Sequence, residues 1–142
     1  MKRIVIILLS LIVFVFVVKS QCNSSLVTIC SSGLAENAMY LKELKVKLKA
    51  KEAGKKAPVA RYSLMLNKGN HYRFSVCNAK EFSGKAIVQL YDKDRLLGSS
   101  YMGKKHYPAF DFVCKKTAVY KVLISFEDGK AGCAVGILSM ID

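Results

Sequence analysis

Alternation of apolar and polar residues dominates the chain from Ala60 onward. In ARYSLMLNKGNHYRFSVC, Tyr62, Leu64 and Leu66 alternate with Ser63, Met65 and Asn67. Tyr72, Phe74 and Val76 then alternate with His71, Arg73 and Ser75. Lys68-Gly69-Asn70 supplies turn chemistry between the two runs, so the stretch from Ala60 to Cys77 reads as a β-hairpin. Further strands follow at short, regular spacing: Lys85 to Tyr91, Arg95 to Tyr101 with Gly98 weakening it, and Tyr107 to Cys114 with Phe110 and Phe112 on one face. In Ala118 to Phe126, Tyr120, Val122, Ile124 and Phe126 face one way. The last strand, Ala131 to Met140, is apolar on both faces, which predicts a central position beneath another element. Asp92-Lys93-Asp94 reads as a turn, and Glu127-Asp128-Gly129-Lys130 as a hairpin turn whose Asp-Gly pair tolerates positive φ. Met102 to His106 reads as a loop.

The pattern before Ala60 is less decided. In Tyr40 to Ala50, Leu41, Leu44 and Leu48 fit a helical face together with Leu34 and Ala38. Strict alternation of Leu44, Val46, Leu48 and Ala50 with Lys45, Lys47 and Lys49 favours a strand with one lysine face. Such a face suits an unpaired sheet edge, because charge blocks edge-to-edge association. Lys51 to Val59 is a basic loop, Gln21 to Ser32 is small and polar, and Gly33 to Met39 has room for a helical turn. Seven or eight strands without intervening helices predict an all-β antiparallel sandwich or barrel.

The first residues belong to another pattern. Met1, Lys2 and Arg3 precede an apolar run from Ile4 to Val18, and Lys19-Ser20 close it. That run is short of the roughly 20 residues a spanning helix needs and suits a signal peptide cleaved before Gln21. The expected organisation is therefore a signal peptide over 1–20, an N-terminal extension over 21–39 and a β-sandwich over 40–142. A periplasmic, cell-surface or extracellular destination follows. Cys22 sits where a lipoprotein carries its lipid, but Val18-Lys19-Ser20-Gln21 lacks the Leu and small residue of a lipobox. Asn23-Ser24-Ser25 is a sequon that matters only in a glycosylating host.

Charge narrows the partners. The chain has 23 Lys and Arg against 10 Asp and Glu, a net +13, and loss of Lys2, Arg3 and Lys19 with the leader leaves +10. An anionic glycan or an acidic protein fits this balance, whereas an exported chain has little occasion to meet nucleic acid. Lys42, Lys45, Lys47, Lys49, Lys51, Lys55 and Lys56 make the most distinctive chemical feature. On a strand, Lys45, Lys47 and Lys49 would stand in one row about 6.6–7 Å apart. Lys45, Lys47, Lys49, Lys51, Lys55 and Lys56 form a candidate anion-binding surface or a solvated protective edge. Little aromatic interleaving argues against base stacking. The many tyrosines suggest core and interface use more than a sugar platform, and tryptophan is absent.

Catalytic and metal chemistry find little support. Five cysteines, Cys22, Cys30, Cys77, Cys114 and Cys133, include no C-x-x-C spacing and accompany only two histidines. In an exported chain they are disulfide candidates. The odd count leaves one over, and the last four allow three complete pairings. Pairing Cys77 or Cys114 with His71 or His106 would be needed for a thiol nucleophile, yet His71 and Cys77 fall about 20 Å apart along one strand. No G-x-S-x-G elbow is present. Asp92-Lys93-Asp94 is at best half of a calcium loop. Asp111, between Phe110 and Phe112, should face outward and pair with a lysine. No cofactor is implied.

The order of segments resembles the bacterial pre-peptidase C-terminal domain, a small jelly-roll-like β-sandwich. RYSLMLNKGNHYRFSV matches its aromatic strand and Gly turn, AIVQLYDKD its strand ending in Leu-Tyr-Asp, and FDFVC with TAVYKVLISF its late aromatic and Tyr strands. Thr117-Ala118 stand where the family usually has a Gly, and the cysteines and basic segment are additions. The resemblance implies a stand-alone sandwich with an accessory, non-catalytic role; fold likeness alone does not fix function. The leading expectation is a non-enzymatic exported sandwich that binds another envelope or secreted component, a protein first. An anionic-glycan module using residues 42–56 comes second, and a small hydrolase or hydrolase inhibitor third.

Overall fold

The computed structural model describes Cys22 and residues 24–142; the expected leader over 1–20, and Asn23 of the sequon, lie outside them. Among the described residues one α-helix, α1 (Ser24–Ser32), precedes ten strands: β1 (Ala38–Leu48), β2 (Ala60–Leu66), β3 (His71–Asn78), β4 (Ala86–Asp92), β5 (Arg95–Ser99), β6 (Tyr101–Met102), β7 (Lys105–His106), β8 (Ala109–Val113), β9 (Ala118–Phe126) and β10 (Gly132–Ile141). Eight of them form two four-stranded antiparallel sheets, ordered β1-β10-β3-β8 and β2-β9-β4-β5, and β6-β7 stands apart as a two-stranded ribbon.

The pairings are nested. Strand β1 pairs with β10, β2 with β9, β3 with β8 and β4 with β5, as one long two-stranded ribbon would with its tip at Lys93-Asp94. The β10–β3 and β9–β4 ladders close the rolled ribbon into two sheets. This is the jelly-roll arrangement of an all-β sandwich.

The sheets bury the alternating sets against each other. Leu44, Val46, Tyr72, Phe74 and Leu138 of the first sheet meet Leu64, Leu66, Val88, Leu90, Tyr120, Val122, Ile124 and Phe126 of the second. The faces of β2, β3, β8 and β9 are those read from the sequence. Residues 40–48 are strand and not helix, and β1 lies at the edge of its sheet, as the lysine pattern predicts.

Strand pairing departs from expectation at two places. β2 and β3 do not form a hairpin, because Lys68-Gly69-Asn70 carries the chain from the second sheet to the first. Likewise β9 and β10 lie in different sheets, although Asp128 and Gly129 adopt the positive φ (56° and 66°) expected of that turn. The cause is common to both. Consecutive strands facing each other across a core bury the same alternating residues as a paired hairpin, so periodicity does not distinguish them.

Two elements went unforeseen. Gly33 to Met39 holds turns and the start of β1, while the helix lies earlier, over Ser24–Ser32. Cys22, Leu26, Cys30 and Leu34 recur every fourth residue, a helical stripe hidden in a short polar context. Leu26 and Cys30 pack on Cys133, Val135 and Ile137 at the outer face of the first sheet. That explains why β10 is apolar on both faces: Ala134 and Leu138 face the sandwich, and Cys133, Val135 and Ile137 face α1. The second unforeseen element is the β6-β7 ribbon, where a loop was expected.

Candidate functional site

The lysine-rich segment does not stand as one row. Lys45 and Lys47 project from the outer face of β1, but the strand ends at Leu48 and Lys49 belongs to the following loop. Glu43 shares the row and lies 3.9 Å from Lys45. Tyr62 donates a 2.6 Å hydrogen bond to the Lys45 carbonyl, and the Lys47 ammonium sits 5.7 Å from the centre of the Phe82 ring. Lys51 turns away: its amide donates to the Gly129 carbonyl at 2.7 Å, and its stem lies against Gly129. Lys47, Lys49, Lys55 and Lys56 instead converge on one shallow depression, together with Glu52, which pairs with Lys55. The structure thus gathers four of the six candidate lysines on one side and tempers them with one carboxylate.

The β6-β7 ribbon was not singled out by sequence. Gly103 and Lys104 occupy its two turn positions with φ of 57° and 66°, which closes a two-residue hairpin. Its base is built rigidly. The Tyr101 ring packs 4.6 Å from His106, and His106 Nε2 lies 2.8 Å from Glu127 Oε2. The Glu127 carboxyl is held below the usual carboxylate range, first by the His106 hydrogen bond. Burial and the Glu127 charge push the Tyr101 phenol up. The Tyr107 amide donates to the Ser100 carbonyl at 2.8 Å. At the tip Met102 is 60% exposed, and Lys105 lies 5.5 Å from the centre of the exposed Tyr107 ring. A cationic tip with an exposed thioether and phenol ring on a fixed base is suited to a protein cleft. The sequence signal was present in Met102-Gly103-Lys104-Lys105, but a two-residue strand carries too little alternation to be read.

A separate cleft of about 560 Å³ opens between β5 and β8, where Leu96, Leu97, Phe112 and Val113 meet Arg95 and Lys116. Asp92 pairs there with Lys116 at 3.4 Å and with Arg95 at 3.9 Å. The Asp92-Lys93-Asp94 segment is therefore a β-turn with ion pairs. Among the described residues no group of three or more His, Cys, Asp or Glu is arranged to hold a metal ion.

The cysteines separate by environment. Cys22 is bonded to Cys133. Its sulfur is thereby engaged in a bridge, and nothing in the fold supports a lipid at that position. Cys30 and Cys77 lie together in the apolar cluster beneath α1. Cys114 is buried in the sandwich core, where its thiol meets the Lys116 carbonyl at 3.2 Å and the Tyr120 hydroxyl at 3.7 Å. His106 is engaged by Glu127, and His71 lies 3.9 Å from Asp111. Neither histidine has a cysteine among these partners. Asp111 faces outward as expected, but its partner is Arg73, not a lysine.

No family model matches the chain, and a comparison with curated protein sequences finds no match. Among solved structures the fold is similar to Aeromonas hydrophila PliG, a periplasmic lysozyme inhibitor of g-type lysozyme, with a TM-score of 0.51 and 10% identity. The likeness covers 75% of this chain and 90% of that one.

Proposed function

We propose that this protein is an exported, non-enzymatic inhibitor that binds a secreted glycoside hydrolase of the lysozyme class. The supporting observation is the sandwich shared with PliG over most of both chains. Of the readings drawn from the sequence, the hydrolase-inhibitor alternative thereby gains more than a general envelope-binding role. The resemblance to pre-peptidase C-terminal domains read from the sequence implies an accessory role and adds nothing about the partner. Among the described residues no helix is long and apolar enough to cross a membrane. With the leader removed, a periplasmic or extracellular destination completes the proposal.

The β6-β7 tip is the contact we assign to it. Glycoside hydrolases carry carboxyl groups in their clefts. Lys104 and Lys105 offer such groups charge-assisted hydrogen bonds from a turn that loses little entropy on binding. Lysis of peptidoglycan by a set of lysozymes, g-type included, measured against increasing protein, tests this. Lys104→Glu with Lys105→Glu should weaken inhibition at least tenfold without changing the far-ultraviolet spectrum. Equal inhibition by the variant would remove the tip from the account.

A second reading rests on the convergence of Lys47, Lys49, Lys55 and Lys56 at one depression. It makes the protein a module for an anionic polysaccharide, bound by charge and sensitive to salt.

A further inference from the structure

Five cysteines in an exported chain leave a parity problem that the Cys22–Cys133 bridge does not solve. The remaining three are free thiols in this structure, and two of them share one apolar cluster. Cys30 lies on the inner face of α1, one turn beyond Leu26, and is buried. Cys77 lies on the outer face of β3, opposite Val135 of β10, and is half-buried. Both belong to the same apolar cluster, together with Cys133 and the Cys22 end of the bridge. The third, Cys114, is in the sandwich core on the other side of the first sheet.

We propose that Cys30 and Cys77 form a second disulfide, clamping α1 to β3 as Cys22–Cys133 clamps its start to β10, and that Cys114 is the one permanent free thiol. A nine-residue helix is marginal by itself, so its position depends on such tertiary anchors. The chemistry is thiol–disulfide exchange with a disulfide oxidant of the exported compartment, whether a protein disulfide or an oxidised small thiol. The Cys77 thiolate attacks one oxidant sulfur, forming a mixed disulfide and expelling one thiolate. The Cys30 sulfur then attacks Cys77 Sγ and expels the second thiolate. The two protons released by Cys77 and Cys30 are taken up by those leaving groups, so the oxidant is reduced to two thiols as the protein is oxidised.

This order follows the two environments. Cys77 is the more accessible thiol, and its contact with Cys30 lowers it. The same contact, with burial, raises Cys30. Thiolate character and access together make Cys77 the attacking group.

The test uses the full chain exported to an oxidising compartment and purified without reductant. Denaturation in the presence of an alkylating agent should modify one cysteine, Cys114. Proteolysis should release a Cys30–Cys77 peptide pair beside the Cys22–Cys133 pair. Alkylation of Cys30, Cys77 and Cys114 together would overturn the proposal, as would a linkage of either residue to another partner. In Cys30→Ser the count should rise to two, with Cys77 newly modified and Cys22–Cys133 intact; an unmodified Cys77 there would also overturn it. Should Cys30→Ser fail to accumulate, Cys77→Ser gives the mirror reading at Cys30. Re-oxidation of the reduced protein by oxidised glutathione should restore the wild-type count, and failure to close the pair would contradict the exchange step.

Discussion

Arg73 and Asp111 stand opposite each other on β3 and β8, joined by two parallel hydrogen bonds of 2.7 and 2.8 Å. The Arg73 guanidinium holds the Asp111 carboxyl below its usual range. Because the folded value is depressed, the contribution to stability is present above the ordinary carboxylate pKa and is lost as pH falls through the depressed one. Both side chains are about one-third exposed, so solvent screens the pair. Asp111→Asn should cost about 0.5–1 kcal/mol at neutral pH and nothing in strong acid, as read by denaturant titration at several pH values. A harsher change is available at Gly132. A Cβ there would lie 2.1 Å from the buried Phe126 ring, whereas one at Gly136 would meet Ile124 at 3.4 Å. Gly132→Ala should therefore lose about 1–3 kcal/mol by overpacking. Gly136→Ala should fall well short of that, and thermal unfolding of the two variants checks the contrast.

Most strands were legible because they show one face to the core, as Tyr120, Val122, Ile124 and Phe126 do along β9. Their partners were not. Leu66 and Tyr72 look like neighbours in a hairpin, yet they meet across the sandwich, and the nearest pairings in sequence belong to β4-β5 and the small β6-β7 ribbon. Turn chemistry was read correctly at Asp128-Gly129, where it serves a crossing between sheets. The helix was missed because its stripe of four residues, Cys22 to Leu34, is spaced by Ser, Thr and Gly that suggest a loop. The lysine depression was half-legible: the charges are in the sequence, but only the end of β1 at Leu48 decides which of them converge. The bridge that ties α1 to β10 spans 111 residues and so constrains the unfolded chain strongly. Cys133→Ser should lower stability by about 2–4 kcal/mol. It should also expose the amides of α1 to hydrogen exchange before those of β9.

The whole molecule carries a large positive charge on a sandwich whose two sheets are occupied with each other. A field of that sign favours encounter with acidic surfaces and slows it with basic ones. Inhibition should therefore discriminate among lysozymes by their own charge, with association rates that fall as salt rises for acidic lysozymes and rise for basic ones. The polysaccharide reading makes a different demand. Binding to a sulfated or uronic-acid glycan should be abolished by changing Lys47, Lys49, Lys55 and Lys56 to Gln and should weaken steeply with salt. Retention of binding in that variant would exclude the depression as its site.

The most direct measurement is a titration of g-type lysozyme activity with the full protein at physiological ionic strength. The account predicts saturable inhibition at a one-to-one ratio, relieved by charge reversal at Lys104 and Lys105. Undiminished lysis by g-type and other lysozymes, at a large excess of folded and oxidised protein, would contradict it.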